Sequence, residues 1–394
     1  MPVAKIRLNG LSWKHRRATG PLAPLSAAFS ALRPNVEINW TDRSLAGFEH
    51  QPIAETAKAF DLVIFDPPFC GDIVASNCFL PLDRALPDLL GDAADGLYVG
   101  PTLASYRFGG AVWGAPIDAA TEHAIFRPDA LARAGEPPPG TWAEVVALGE
   151  RLRRKGVFLG AAVVTPHLGL VGAALMANRG TPWPTDVSAR FAIDRVSLQQ
   201  ALESAAELVA YCPEQALGWD SIALHEAMVA RDDIAYAPCV YGHATYGEAD
   251  TRARLWFGDF PGAVAPHAAG TAVGGTALAV SSRTAHVEAC LDFVRFALSA
   301  RAKIDLIAGR HGQPARVEAW DDATTDAAFR GYYLGVRESM ERAWIRPRQP
   351  GYIPFQHEFG HVAARFVRRE INLKAALEAV HALAAKVNRT DIAK

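Results

Sequence analysis

Cysteine is scarce and unpatterned: Cys70, Cys78, Cys212, Cys239 and Cys290 are odd in number, scattered through 394 residues, and never spaced as C-x-x-C. That argues against a disulfide framework or a structural zinc site and suits a reducing compartment. Long apolar runs are missing too, so no segment is expected to span a bilayer. Residues 1–13 alternate polar and apolar without an apolar core, and no early cysteine offers a lipid anchor, so the sequence as given reads as lacking a signal segment, hence cytoplasmic. Excess charge of either sign is absent: 40 Lys and Arg stand against 42 Asp and Glu, a formal net charge of −2. Nothing global therefore draws the chain to nucleic acid or to an anionic membrane, and electrostatic recognition has to be local. There is no G-x-x-x-x-G-K-[ST], no G-x-S-x-G and no G-x-G-x-x-G after a strand. Phosphate-loop enzymes, α/β-hydrolases and dinucleotide oxidoreductases are disfavoured, and no cofactor is implied.

What is present is a half-hydrophobic chain long enough for two cores. Residues 5–11 alternate as a half-buried strand, and Leu22, Leu25, Ala28, Phe29 and Leu32 fall at helical spacing over 21–32. Strand 36–40, helix 53–60 and the apolar run 62–65 follow, the last stopped by Asp66-Pro67-Pro68. This β-α-β-α-β order predicts a doubly wound sheet, whose ligands meet the loops after the strand C-termini. Those loops are 12–20, 42–44 and 66–70. Residues 106–114 read as a hairpin and 115–118 as an extended segment crossing to a second α/β unit over 120–260. There Thr141 and Glu144 form a capping-box pattern opening a helix to residue 155. Strand-like stretches are expected at 157–164, 233–237 and 272–281, with helices at 168–177, 198–211, 222–230 and 286–308.

The first strand-end loop holds Trp13, Lys14, His15, Arg16 and Arg17, and the second holds Arg43. Arginine offers a planar fork for carboxylate or phosphate, and the indole a flat apolar face; the plain alternative is a solvated charged loop. Asp66 and Asp118 are placed to accept hydrogen bonds from ligand hydroxyls or amines, or equally to cap turns and pair with nearby arginines. Tyr241 ends a predicted strand, Trp183 lies in a predicted loop, and Gly275 allows close backbone approach. Thr121, His167, Arg310 and His311 complete the candidate ligand-binding set.

His357-Glu358-Phe359-Gly360-His361 matches H-E-x-x-H, which on a helix would set two imidazoles on one face with a glutamate to activate a metal-bound water. It resembles the metzincin motif, but that family's following glycine and third histidine are Ala364 and Val367 here. Glu370 or Glu378 would have to supply a third ligand; otherwise this is a helix start with surface histidines.

Taken in order, 61–66 (DLVIFD), 79–83 (FLPLD), 113–118 (WGAPID), 126–131 (FRPDAL), Thr141 to Glu144 and 274–281 (GGTALAVS) resemble the extracellular solute-binding proteins that serve ABC sugar importers. The resemblance implies the α/β, two-lobed type 2 periplasmic-binding-protein fold, with discontinuous lobes and an interlobe cleft. It divides the chain into 1–116 plus 264–315 and 117–263 plus 316–394, with crossings near Pro116, near Pro261 to Pro266 and near 310–320. It further implies a small polar ligand, sugar-like or anionic, closure over that ligand, an ABC permease as partner, and a periplasmic location. A second reading is a cytosolic enzyme on the same scaffold, with His15, His167 or His311 as acid or base beside Asp118 or Glu122 on a carboxylate-bearing substrate. A zinc hydrolase through His357, Glu358 and His361 is a remote third.

Overall fold

The computed structural model describes residues 4–185, 190–252, 255–264, 269–299 and 302–390. Among them are ten strands: β1 Ile6–Trp13, β2 Val36–Arg43, β3 Leu62–Phe65, β4 Arg107–Phe108, β5 Ala111–Val112, β6 Ala115–Phe126, β7 Phe158–Leu159, β8 Ile234–Tyr241, β9 Trp256–Gly258 and β10 Val273–Val280. The helices used below are α1 Arg16–Leu32, α2 Leu45–His50, α3 Trp142–Arg153, α4 His167–Asn178, α5 Val287–Ala297 and α6 Tyr352–Val367. Among the described residues no helix is long and apolar enough to cross a membrane.

The chain forms two compact units, Met1–Ala120 with Gly274–Thr325 and Thr121–Val273 with Asp326–Lys394. The resemblance expects the crossings near Pro116, near Pro261 to Pro266 and near 310–320. Pro116 suggests the first, yet it lies one residue into β6, which continues unbroken to Phe126. Of the crossing at 261–266, residues 265 and 266 lie outside the described residues.

In the first unit, β1 pairs in parallel with β2 from Ile6↔Val36 to Trp13↔Arg43, and with β3 at Gly10↔Leu62 and Leu11↔Val63. β10 closes the other side of β3 antiparallel, Ala277 opposite Phe65. All four β3 residues are buried, which is why the run has no polar alternation. α1 begins five residues before its expected start at Pro21, because His15 caps it: Nδ1 accepts the Arg17 backbone N–H at 3.2 Å. The basic cluster is thus a strand end, a two-residue bend at Lys14-His15 and a first helical turn. Leu22, Leu25 and Phe29 turn inward, with Phe29 edge-on to Phe293 of α5 at 5.4 Å. The expected helix 286–308 ends as α5 at Ala297; residues 300 and 301 lie outside the described residues, and a π-helical turn covers Ala302–Ile307. β4 and β5 form a hairpin on Gly109-Gly110, both with positive φ, as a two-residue turn requires.

In the second unit, β6 pairs antiparallel with β8 from Glu122↔Tyr241 to Phe126↔Tyr236, and with β9, while β7 pairs in parallel with β8. β8 outruns its expected end at residue 237 by passing through Pro238, where the register to β6 shifts by one residue. A bulge absorbs the missing donor. The expected strand 157–164 is only Phe158–Leu159. α3 opens with the capping box: Thr141 Oγ1 accepts the Glu144 N–H and Glu144 Oε2 the Thr141 N–H. Its Val145, Leu148 and Leu152 enter a core shared with α4 and α6.

Candidate functional site

In the first unit Trp13 and Arg43 end the parallel strands β1 and β2, and Asp66 follows β3. Trp13 closes β1, almost fully buried, its ring stacked on His15 at 5.5 Å and tilted against Phe48 of α2 at 5.9 Å. Arg16 is half-buried and Lys14 exposed beside it. Arg17 turns inward and meets Asp118 of β6 side-on: Nε donates to Oδ2 at 2.8 Å and Nη2 to Oδ1 at 2.5 Å. Both are buried, at 5% and 7% exposure. A bidentate pair in such a place is strong only because both charges are present. A cavity of about 20 Å³ lies against it, lined by Ser12, Ile64, Ile117 and Thr276, room for about one water. Ser12 Oγ is buried there with no hydrogen-bond partner among the described residues.

Arg43 closes β2. Its Nη2 donates to the Ile64 carbonyl at 3.2 Å and Nη1 to Gln51 Oε1 at 3.3 Å, with the guanidinium 5.4 Å above the Phe48 ring. Burial pushes its ionisation down to about 10. Asp66 is half-buried just past β3. Gly275, in β10, has φ +96, and a Cβ there would collide with the Asp118 carbonyl, so glycine is what lets β10 approach the Arg17–Asp118 pair. Arg310 is exposed and His311 half-buried; the Arg310 carbonyl and the His311 side chain lie against α1 at Gly20, whose Cβ would stand 2.5 Å from that carbonyl.

In the second unit, Thr121 is buried and tied to Thr271 Oγ1 at 2.9 Å and the Ala272 carbonyl at 3.1 Å. Next to it in sequence, Glu122 accepts the Ala272 N–H at 3.3 Å. Burial pushes Glu122 up to about 7, with Ala272, Arg346 and Cys239 pulling weakly the other way. His167 opens α4; burial holds it down at about 4, Asp220 opposing and Arg346 assisting. Tyr241, half-buried at the end of β8, lies under the Arg346 guanidinium at 5.7 Å, and Arg346 Nη1 donates to Gln356 Oε1 at 3.1 Å. Arg346 and Gln356 carry no sequence signal beyond residue type, and the sequence pattern does not find them. Such a set, one arginine, a carboxyl whose ionisation burial raises to about 7, an imidazole, an amide and a phenol ring, can donate and accept several hydrogen bonds.

Two expectations are corrected. Trp183 is no stacking platform: at 2% exposure its ring sits edge-on to Phe359 at 5.1 Å, Phe355 at 5.2 Å and Trp344 at 5.9 Å, inside the core. The loop around it is polar, but aromatic packing from α6 captures the indole. His357 is not a surface histidine at a helix start either. It is the sixth residue of α6 and buried, while Glu358 and His361 are exposed. Among the described residues no three His, Cys, Asp or Glu side chains stand together as a metal site.

The model of the bacterial extracellular solute-binding protein family matches residues 25–330. Solved structures resemble the whole chain. A solute-binding protein of an ABC transporter from Agrobacterium radiobacter K84, in complex with ribitol, is 19% identical with a TM-score of 0.82, covering 98% of this chain and 100% of that one. Another, from Thermotoga lettingae TMO and bound with α-D-tagatose, is 15% identical with a TM-score of 0.83 over 98% and 100%. Maltose-bound MalE3 of T. maritima is 16% identical with a TM-score of 0.81 over the same shares. A search of curated protein sequences returns no match. At these identities the structural likeness establishes the two-lobed periplasmic-binding fold, and the family match, covering most of the sequence, establishes descent: the chain belongs to the bacterial extracellular solute-binding proteins.

Proposed function

We propose that the solute is a small polyhydroxylated molecule, a sugar or polyol, captured outside the cytoplasmic membrane and handed to an ABC permease. The family match over residues 25–330 carries the reading. Ribitol, tagatose and maltose in proteins of the same fold support its chemistry. Hydroxyl-rich solutes need many oriented donors and acceptors and a flat apolar face. Asp66 just past β3 and Arg16 at the start of α1 are residues of that kind in the first unit, as are Tyr241 at the end of β8, Arg346 above it and Glu122 within β6 in the second. Asp118 and Arg17, already satisfied by one another, hold the frame on which Trp13 and Arg16 are carried.

Thermal unfolding with ribitol, mannitol, tagatose and maltose tests this. A solute at a hundred times its Kd stabilises by about 2.7 kcal/mol, a rise of roughly 5–10 °C for units of this size. Mass spectrometry of solute released from the complex should return it unchanged. Flat melting curves across sugars and polyols at millimolar concentration would overturn the reading.

A further inference from the structure

We propose that the solute carries an anionic oxygen group, a carboxylate or a phosphate, and that Arg43 receives it; this rests on the solute-binding reading and sharpens its substrate class. Several partly buried arginines of the chain are held by carboxylates. Arg17 holds Asp118, Arg127 holds Asp129 and Asp232, Arg231 holds Asp233, and Arg316 holds Glu318. Among the described residues Arg43, like Arg179, has no carboxylate within 4.0 Å; its partners are two neutral oxygens, Ile64 carbonyl and Gln51 Oε1, at 3.2 and 3.3 Å. Those are long bonds for a guanidinium, whose pairs with anionic oxygen close to about 2.7–2.9 Å. Its Nε is buried and has no acceptor among the described residues.

The charge is therefore taken partly out of water without a counter-charge, and burial is the stated cause of its lowered ionisation. Two neutral acceptors and the Phe48 face fix the guanidinium in one plane, which is preorganisation for a planar or tetrahedral oxyanion. The position fits. Arg43 is the last residue of β2, in register with Trp13, and it reaches the carbonyl next to the end of β3, the edge where ligands of parallel sheets bind. Lys14, exposed, and Arg16, half-buried, lie within three residues of Trp13 along the chain, with Asp42 next to Arg43 and Asp66 just past β3 as acidic neighbours in sequence. A neutral hydroxyl at this place would leave the uncompensated charge as it is; an oxyanion removes the penalty.

Isothermal titration with matched solutes distinguishes the cases: ribitol against ribonate and ribitol 5-phosphate, and mannitol against mannonate and mannitol 1-phosphate. One acidic member should bind at least about tenfold more tightly than its neutral parent, and whether it is the carboxylate or the phosphate identifies the group. Arg43→Gln should abolish that preference, bringing the acid down to the affinity of its neutral parent, and Arg43→Lys, which keeps the charge but not the fork, should retain part of it. Removing an uncompensated charge should not lower the melting temperature of Arg43→Gln, so a loss of preference is not a loss of fold. Neutral parents binding as tightly as the acids, or Arg43→Gln keeping the preference, overturn the anion while leaving the polyol reading in place. Silence from neutral and acidic members alike overturns both.

Discussion

Arg17 and Asp118 lie 101 residues apart in sequence and meet as a buried bidentate pair. Removing one partner leaves the other charge in a place shaped for two, so Arg17→Met or Asp118→Asn should each cost about 3–5 kcal/mol in urea unfolding. Arg17→Met combined with Asp118→Leu should recover much of that loss, since the desolvation disappears with the pair; a double variant no better than the singles would sink the account. A second residue-scale prediction concerns pH. Glu122 is raised from 4.5 to about 7, so the folded unit binds its proton more tightly than the unfolded chain. The carboxyl's contribution is complete below 4.5 and is lost as pH rises through about 7, an effect of roughly 3 kcal/mol. His167 is depressed from 6.5 to about 4 and runs the other way: its contribution is complete above 6.5 and is lost as pH falls through about 4. Between these limits the two slopes oppose each other. Glu122→Gln should therefore expose a loss of stability on acidification, and His167→Gln a loss on going toward neutral pH. Urea midpoints from pH 4 to 8 decide; profiles parallel to the parent's in both variants exclude these groups as the source.

Elements were legible in the sequence where their causes are local. The β3 run, the Thr141 and Glu144 capping box and the Gly109-Gly110 hairpin each announce themselves within a few residues, and each stands in the structure. β6 does not: it is buried along nearly its whole length, yet carries Asp118, Thr121, Glu122 and His123, so neither alternation nor an apolar run marks it. Its polar residues are satisfied by partners far along the chain, at Arg17, Thr271 and Ala272, and no window of sequence contains those. β8 hides its length behind Pro238, and Trp183 reads as a loop aromatic until α6 is brought against it. The candidate site divides in the same way. Trp13, Arg43 and Asp66 follow from strand-end position alone, whereas the Arg346, Tyr241 and Gln356 contacts depend on tertiary structure. Gly275 gives the element-scale test. With φ +96 and no room for a Cβ against Asp118, Gly275→Ala has to shift β10 from β6. The expected loss is about 1–3 kcal/mol, or roughly 2–4 °C of Tm per kcal/mol. An unchanged melting temperature would mean that β10 yields freely.

At the scale of the molecule the unusual fact is that neither unit is a continuous stretch of chain. The first unit takes Met1–Ala120 and then, after the whole of Thr121–Val273, returns for Gly274–Thr325. What the return supplies is β10, which pairs along Leu62–Phe65. Without it, β3 becomes an edge whose residues are 0–2% exposed in the complete unit, and burying each such side chain is worth about 1.5–3 kcal/mol. An apolar, unpaired edge of that kind is a template for aggregation. The chain ends that would have to be joined are already neighbours, because a Cβ on Gly275 would stand 2.7 Å from the Ala119 Cα, and closing a short loop costs little entropy. A chain running 1–120, a short Gly-Ser tether and 274–325 should therefore fold as a soluble unit with one sigmoidal urea transition followed by circular dichroism. Residues 1–120 alone should not, giving a broad transition, exposed apolar surface by dye binding, or precipitation. A cooperative transition from 1–120 alone would show that β3 does not depend on β10, and that the order of the chain is not what holds the first unit together.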